Sequence, residues 1–142
     1  MTQPTILIVN DDPVTRAIVV GALMHHLVDV TLLEAESAEE AFTVFWKAEA
    51  DGAPVNIVIL DLNLPGREGL WMLDTLRADP TLKSRFDQKE LAVLVYSTEE
   101  EGMRNTAELR GAAAAFHNPD NLRHLAVAVM QRISSDYWRS GA

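Results

Sequence analysis

The sequence predicts an α/β protein: a doubly wound, five-stranded parallel sheet with helices on both faces. Three observations carry this reading. Short runs rich in Val, Ile and Leu recur along the chain, and such runs suit strands buried on both faces. Segments of helical period lie between them, and that alternation implies parallel order. With 142 residues and 48% hydrophobic content, the chain can bury one core of its own. Residues 1–142 therefore read as a single domain, with no repeat or interdomain linker.

Each element has a local reason. "TILIV" (Thr5 to Val9) is the first strand. "DDPVTR" opens the first helix, where Asp12 can cap and Pro13 suits the first turn. Ile18, Val19, Ala22 and Leu23 are its expected inner face. "VTLLEA" (Val30 to Ala35) is the second strand, and Ser37 to Glu40 starts the next helix with a capping-box pattern. "VNIVIL" is the third strand and Gly69 to Ala78 the third helix. "RADPTLKSRFDQKE" reads as a long polar connection. "LAVLVY" (Leu91 to Tyr96) is the fourth strand, followed by a polar fourth helix, "EEEGMRNTAELR", with a thin apolar side. "GAAAAF" is a weak fifth strand. Pro119 starts the last helix, with Leu122, Leu125, Ala126, Val129 and Ile133 at helical spacing. The tail is expected to fray from about residue 137.

Composition excludes several functions. The net charge of −9 argues against a broad phosphate-binding face, so no nucleic-acid partner is expected. The absence of cysteine removes disulfides, thiolate zinc sites and Cys nucleophiles. No apolar stretch reaches membrane-spanning length, and the start lacks a basic flank and a long apolar run. The expectation is a soluble, cytoplasmic protein without membrane contact.

The carboxyl ends of parallel strands share one edge of the sheet, where doubly wound folds form their sites. The first strand ends in Asn10-Asp11-Asp12, the third in Asp61, the fourth in Ser97-Thr98 and the fifth in His117-Asn118. Asp11 and Asp61 would lie close, and like charges raise each other's pKa unless a cation binds. Every candidate ligand is an oxygen, which suits a hard cation, Mg²⁺. Asp61 is then a candidate nucleophile, since an aspartate can form an acyl phosphate. Such a transfer needs mainly alignment and charge neutralisation. Ser97 could hydrogen-bond a phosphoryl oxygen.

The stretches "ILIVNDDPVTR", "VILDLNLPGREG", "VLVYST" and "GAAAAFHNP" resemble the signature segments of response-regulator receiver domains, in order and with fitting spacing. The resemblance implies the flavodoxin-like receiver fold with strand order 2-1-3-4-5. It implies a phosphoryl group received from a histidine kinase or phosphotransfer protein, and output through protein contacts. The chain is then no enzyme in the ordinary sense, although it could catalyse its own phosphorylation and dephosphorylation. Residue by residue, the resemblance makes Asp61 the phosphoacceptor, Asp11 a metal ligand and Asn63 a ligand through its backbone carbonyl. Ser97 falls on the hydroxyl position. Glu99 and Asn63 fall where the family modulates dephosphorylation.

The sequence departs from the family in three places. Asn10 stands where a first acid is usual and is left to reach the metal through a water, while Asp12 looks like a helix cap. Asn118 replaces the lysine before proline, so a hydrogen bond can be made there but no charge supplied. Ala115 stands where many receivers carry an aromatic, with Phe116 next to it. "RADPTLKS" and "ISSDYW" resemble single-domain receivers that partner phytochrome-type kinases, many of which dimerise through the fourth helix, fifth strand and fifth helix.

Plainer readings exist for each feature. Asp61 alone could be a turn residue, Ser97-Thr98 a helix cap, and Glu99 to Glu101 a solvated helix start. His25-His26 reads as one surface and one packed histidine, because helical neighbours diverge. Trp46, Trp71 and Tyr137 read as packing residues, and Trp138 as an interface candidate. Two rivals stand beside the phosphoacceptor reading. One is a pseudo-receiver that binds protein without phosphate. The other is a flavodoxin-like nucleotide or flavin binder, which the acidic "NDDPVTR" loop disfavours.

Overall fold

Strands β1 (Thr5–Val9), β2 (Thr31–Ala35), β3 (Ile57–Leu60), β4 (Ala92–Ser97) and β5 (Ala114–His117) form one parallel sheet in the order β2-β1-β3-β4-β5. Among the described residues, six helices connect and cover them: α1 (Pro13–His26), α2 (Ala38–Ala50), α3 (Gly69–Ala78), α4 (Lys83–Asp87), α5 (Glu101–Leu109) and α6 (Leu122–Arg139). The computed structural model describes residues 3–27, 29–64, 66 and 68–139, with side chains through residue 133. The side chains of Tyr137 and Trp138 and the expected fraying of the tail lie outside the described residues.

Alternation along the strands splits the core into two layers. Leu7, Val9, Val58, Leu60, Val93 and Val95 point to one face and pack with Phe45, Leu73, Leu76 and Ala107. Ile6, Ile8, Ile57, Ile59, Leu94 and Tyr96 point to the other and pack with Val19, Leu23, Leu125 and Val129. So α2, α3, α4 and α5 contribute to the first layer, and α1 and α6 to the second. The central strands β1, β3 and β4 are buried throughout, while β2 and β5 are mostly half-buried at the sheet's edges. This is why the central runs are uniformly apolar and the outer ones mixed.

Local signals place the helix starts. Asp12 caps α1 by accepting from the Val14 amide, with Pro13 in the first turn. Ser37 Oγ accepts from the Glu40 amide at 3.1 Å and caps α2.

The structure corrects four expectations. The polar connection after α3 holds the short helix α4, because Leu82 and Phe86 are buried under it. Arg85 there donates to Glu49 and to the Val55 carbonyl, tying α4 to α2 and the start of β3. Ile18 faces out, 51% exposed, because α1 buries only a narrow stripe centred on Val19 and Leu23. His25 and His26 are both exposed, with rings edge to face at 4.8 Å, so neither is packed inside. Trp46 packs edge-on against Phe45 at 5.1 Å while staying partly exposed, and the last helix begins at Leu122 instead of Pro119, because residues 118–121 form a turn first. Among the described residues, no helix is long and apolar enough to cross a membrane.

Candidate phosphoacceptor site

All five strands run the same way, so their carboxyl ends open at one edge, and the strand order reverses between β1 and β3. That reversal is where a doubly wound sheet leaves a crevice. Asp61 stands at its base. Its amide donates to the Val9 carbonyl at 3.0 Å, so pairing with β1 continues through Asp61 and holds it on rigid backbone. The side chain is 8% exposed. Its Oδ1 accepts from the Asn63 amide at 3.1 Å and from Ser97 Oγ at 3.0 Å. Among the described residues, both hydrogen bonds fall on Oδ1 and none on Oδ2.

The turn after Asp61 depends on a glycine. The Gly69 amide donates to the Leu62 carbonyl at 3.1 Å, folding the start of α3 back over the strand end. A Cβ at Gly69 would lie 2.3 Å from the Asp61 carbonyl oxygen and 2.7 Å from Leu62 Cα. No side chain fits there. Gly66, at φ +74°, takes a left-handed conformation in the same turn.

The β1–α1 turn supplies the second wall. Asn10 is 5% exposed, and its Oδ1 accepts from the Asp12 amide at 2.9 Å. Its amide donates to the Ala35 carbonyl at 3.0 Å, and its carbonyl accepts from Arg16 at 2.6 Å. Arg16 is itself paired with Glu34 at 3.1 Å. Asn10 is thus committed to shaping the turn. Asp12 is committed to the cap: it accepts from Val14 N at 3.0 Å and Thr15 Oγ1 at 2.7 Å, and those bonds hold its carboxyl below the usual range. Asp11 is left exposed, with no hydrogen bond among the described residues.

Ser97 is fully buried at the end of β4. Its Oγ donates to Asp61 and accepts from the Glu99 amide at 3.2 Å. Asn118 is half-buried just past β5, joined to Pro119 by a cis peptide bond, and its amide donates to the Ser97 carbonyl at 2.9 Å.

Burial is the main cause that pushes the Asp61 carboxyl above the usual carboxylate range. The negative charges of Asp11 and Glu99 push the same way, and the Asn63 and Ser97 hydrogen bonds oppose them. Among the described residues, the charges acting on Asp61 are both negative. The structure brings together Asp61, Ser97 and the Asn63 backbone by direct contact, while Asp11 and Glu99 act on Asp61 through their charge. Among the described residues no three His, Cys, Asp or Glu side chains form a ready-made metal cluster. Two carboxylates with a backbone carbonyl nevertheless fit an oxygen-liganded cation that keeps several waters. Gly69, Arg16 and Arg104 also shape the site. Only the glycine carried a sequence signal, as a helix start too small to pack.

A family-level sequence profile described as "Response regulator receiver domain" matches residues 6–129. The transcriptional regulatory protein AruR of Pseudomonas aeruginosa is 39% identical over 74 residues, covering 52% of this chain and 30% of that protein. The chain thus matches about a third of that relative's length. The phosphorylated cyanobacterial phytochrome response regulator RcpA superposes with TM-score 0.72 at 23% identity, covering 99% of this chain and 97% of that one. The Mn²⁺-bound response regulator Rcp1 superposes with TM-score 0.69 at 25% identity, covering 89% and 88%. With the five-stranded order and the strand-end constellation, the match over residues 6–129 establishes that this chain belongs to the response regulator receiver domain family.

Proposed function

We propose that Asp61 accepts a phosphoryl group from the phosphohistidine of a histidine kinase or phosphotransfer protein, and that the modified domain signals through protein contacts. One observation carries the proposal: a buried carboxylate on rigid strand backbone, with Oδ1 held by Ser97 and Asn63. In the transfer, an Asp61 carboxylate oxygen attacks phosphorus and the bond to the donor's imidazole nitrogen breaks. The electron pair leaves with that nitrogen, and an acyl phosphate results. Ser97 is placed to donate to a phosphoryl oxygen once it gives up Asp61. Asp11, Asp61 and the Asn63 carbonyl would hold Mg²⁺, with Asn10 reaching it through a water. The cation supplies charge neutralisation to the phosphoryl oxygens and to this acidic edge. That Rcp1 is described in a Mn²⁺-bound form supports a divalent cation here. Asn63 and Glu99, flanking the opening, are the modulators of phosphoryl lifetime.

Asn118 contributes no charge, which should handicap the chemistry without abolishing it. One charge-assisted contact is worth about 1.5–3 kcal/mol, roughly a tenfold to hundredfold effect. The docking face for the donor is α1. Val14 and Ile18 are 64% and 51% exposed and Met24 is 65% exposed, with Ala17, Gly21 and the exposed His25 on the same side of the helix. For output or self-association, the face of α5, β5 and α6 offers exposed Leu109 and Val127 and a cleft of about 380 Å³ lined by Phe116, Arg123 and His124.

The test is labelling with acetyl phosphate and Mg²⁺, followed by intact mass, for wild type, Asp61→Asn and Asn118→Lys. Wild type should gain one phosphoryl group slowly, Asn118→Lys faster, and Asp61→Asn none. Labelling that persists in Asp61→Asn would remove Asp61 from its role. No labelling of either wild type or Asn118→Lys would favour a phosphate-independent binding module, a reading that the uncharged Asn118 supports.

A further inference from the structure

We infer that Arg104 is a positioning residue for phosphoryl transfer at Asp61, acting through the backbone of Glu99 and the hydroxyl of Ser97; this rests on the reading of Asp61 as phosphoacceptor. The contacts form one continuous chain. The Arg104 guanidinium donates to the Glu99 carbonyl at 2.5 Å. The Glu99 amide donates to Ser97 Oγ at 3.2 Å. Ser97 Oγ donates to Asp61 Oδ1 at 3.0 Å. Each link lies within hydrogen-bond range, and each partner is buried or half-buried.

The geometry makes Arg104 the tie between α5 and the site. Glu100 at the N-cap of α5 makes no side-chain capping bond, and Ala107 is the helix's buried residue. So α5 is held lightly, and its first turn is fastened to the β4–α5 loop by a side chain reaching back five residues. A serine hydroxyl can rotate about its C–O bond and either donate or accept. Fixing the Glu99 amide fixes the acceptor side of Ser97 and leaves its proton for Asp61. Arg104 thereby selects the rotamer that aligns Asp61 Oδ1 and leaves Oδ2 outside the contact.

The tie also supplies a route outward. Ala115 has no ring to relocate, and Asn118 meets the loop through its backbone amide to the Ser97 carbonyl at 2.9 Å. When a phosphoryl group takes over the Ser97 proton, the displacement of Ser97 passes to Glu99 and then, through Arg104, to α5.

The experiment compares wild type, Arg104→Gln, Arg104→Lys, Ser97→Ala and the double variant Arg104→Gln/Ser97→Ala. Acetyl phosphate labelling with Mg²⁺ gives the rate, and amide hydrogen exchange at Glu99 reports the loop. Loss of one hydrogen bond's alignment should slow labelling about threefold to tenfold in Arg104→Gln and similarly in Ser97→Ala. The double variant should be no slower than Ser97→Ala, Arg104→Lys should recover part of the rate, and exchange at Glu99 should speed up in Arg104→Gln. A merely structural arginine would slow labelling equally in both backgrounds, and additive losses would overturn the inference. So would an unchanged rate or an unchanged Glu99 exchange in Arg104→Gln. Wild type that takes no label would instead overturn the phosphoacceptor reading and the inference with it.

Discussion

Asp61 carries its charge in a place that disfavours charge. Burial first, and then Asp11 and Glu99, make its carboxyl hold a proton more tightly than an unfolded aspartate does. The folded state therefore binds more protons than the unfolded chain as pH rises from the unfolded carboxyl range through the folded midpoint. Over that window folding loses stability, and the loss persists at neutral pH in the metal-free protein. Asp61→Asn should thus raise the melting temperature at pH 7, with the gain shrinking below the unfolded carboxyl range. Mg²⁺ should stabilise wild type more than Asp61→Asn. Thermal melts across pH, with and without Mg²⁺, check this, and a lowered melting temperature in Asp61→Asn at pH 7 would refute it. Gly69 acts at the same scale through sterics. Gly69→Ala forces backbone apart at Asp61 and Leu62, so it should cost about 1–3 kcal/mol by urea denaturation. If Asp61 is the residue labelled, Gly69→Ala should also slow labelling, because the strain falls on the Asp61 carbonyl itself. Gly69→Ala with wild-type stability would mean that the turn relaxes freely.

At the scale of elements, α1 and α5 are held very differently. The buried residues Val19 and Leu23 anchor α1 while its outer side exposes Val14, Ile18 and Met24. A surface of that kind is unusual on a chain of net charge −9 and suits docking more than solvation. Ile18→Glu should therefore lower transfer from a cognate kinase by about tenfold or more, the weight of roughly 1.4 kcal/mol of lost docking. Labelling by acetyl phosphate should be retained, since Ile18 lies on the outer face. Parallel loss with both donors would show that the substitution damages the site and not the docking. The α5 helix has the opposite character, with an exposed surface that is polar up to Leu109 at its end, a single buried alanine and no side-chain cap at its start. Few buried contacts make a segment easy to shift, which fits α5 as the element that responds.

The whole molecule rests on two apolar layers separated by the sheet. Phe45 lies in the first, fully buried between α2 and the strands and among the largest enclosed side chains. Phe45→Ala should cost about 3–5 kcal/mol and lower the melting temperature by roughly 10–20 °C. The measurement is a denaturant or thermal melt. A loss under about 1 kcal/mol would mean that the layer collapses to fill the gap. Because this layer holds Leu60, next to Asp61, and Val95, two residues before Ser97, a loosened first layer should also weaken the Ser97 to Asp61 contact. A matching cavity in the second layer, as in Leu125→Ala, should spare that contact more.

Strand runs and the starts of α1 and α2 were legible in the sequence because their signals are local, whereas the last helix begins three residues past Pro119. Apolar continuity marks the buried strands, and the Asp12 and Ser37 caps act within three residues of themselves. The site's address was legible for the same reason, since parallel strands must end on one edge and the polar residues after each run must gather there. Sequence periodicity could not decide which groups touch. The Ser97 to Asp61 bond joins residues 36 positions apart, and it depends on the β3–β4 register, which pairs Leu60 with Val95. The same holds for α4, a helix without a side-chain cap that exists because Leu82 and Phe86 find cover and Arg85 finds Glu49 and Val55. It holds for Ile18, whose helical spacing matches an inner face but which stays half exposed among the described residues. Chain chemistry alone set strand, cap and charge. Packing decided burial, contact and the proton-holding strength of Asp61, because those depend on what other segments bring within a few ångströms.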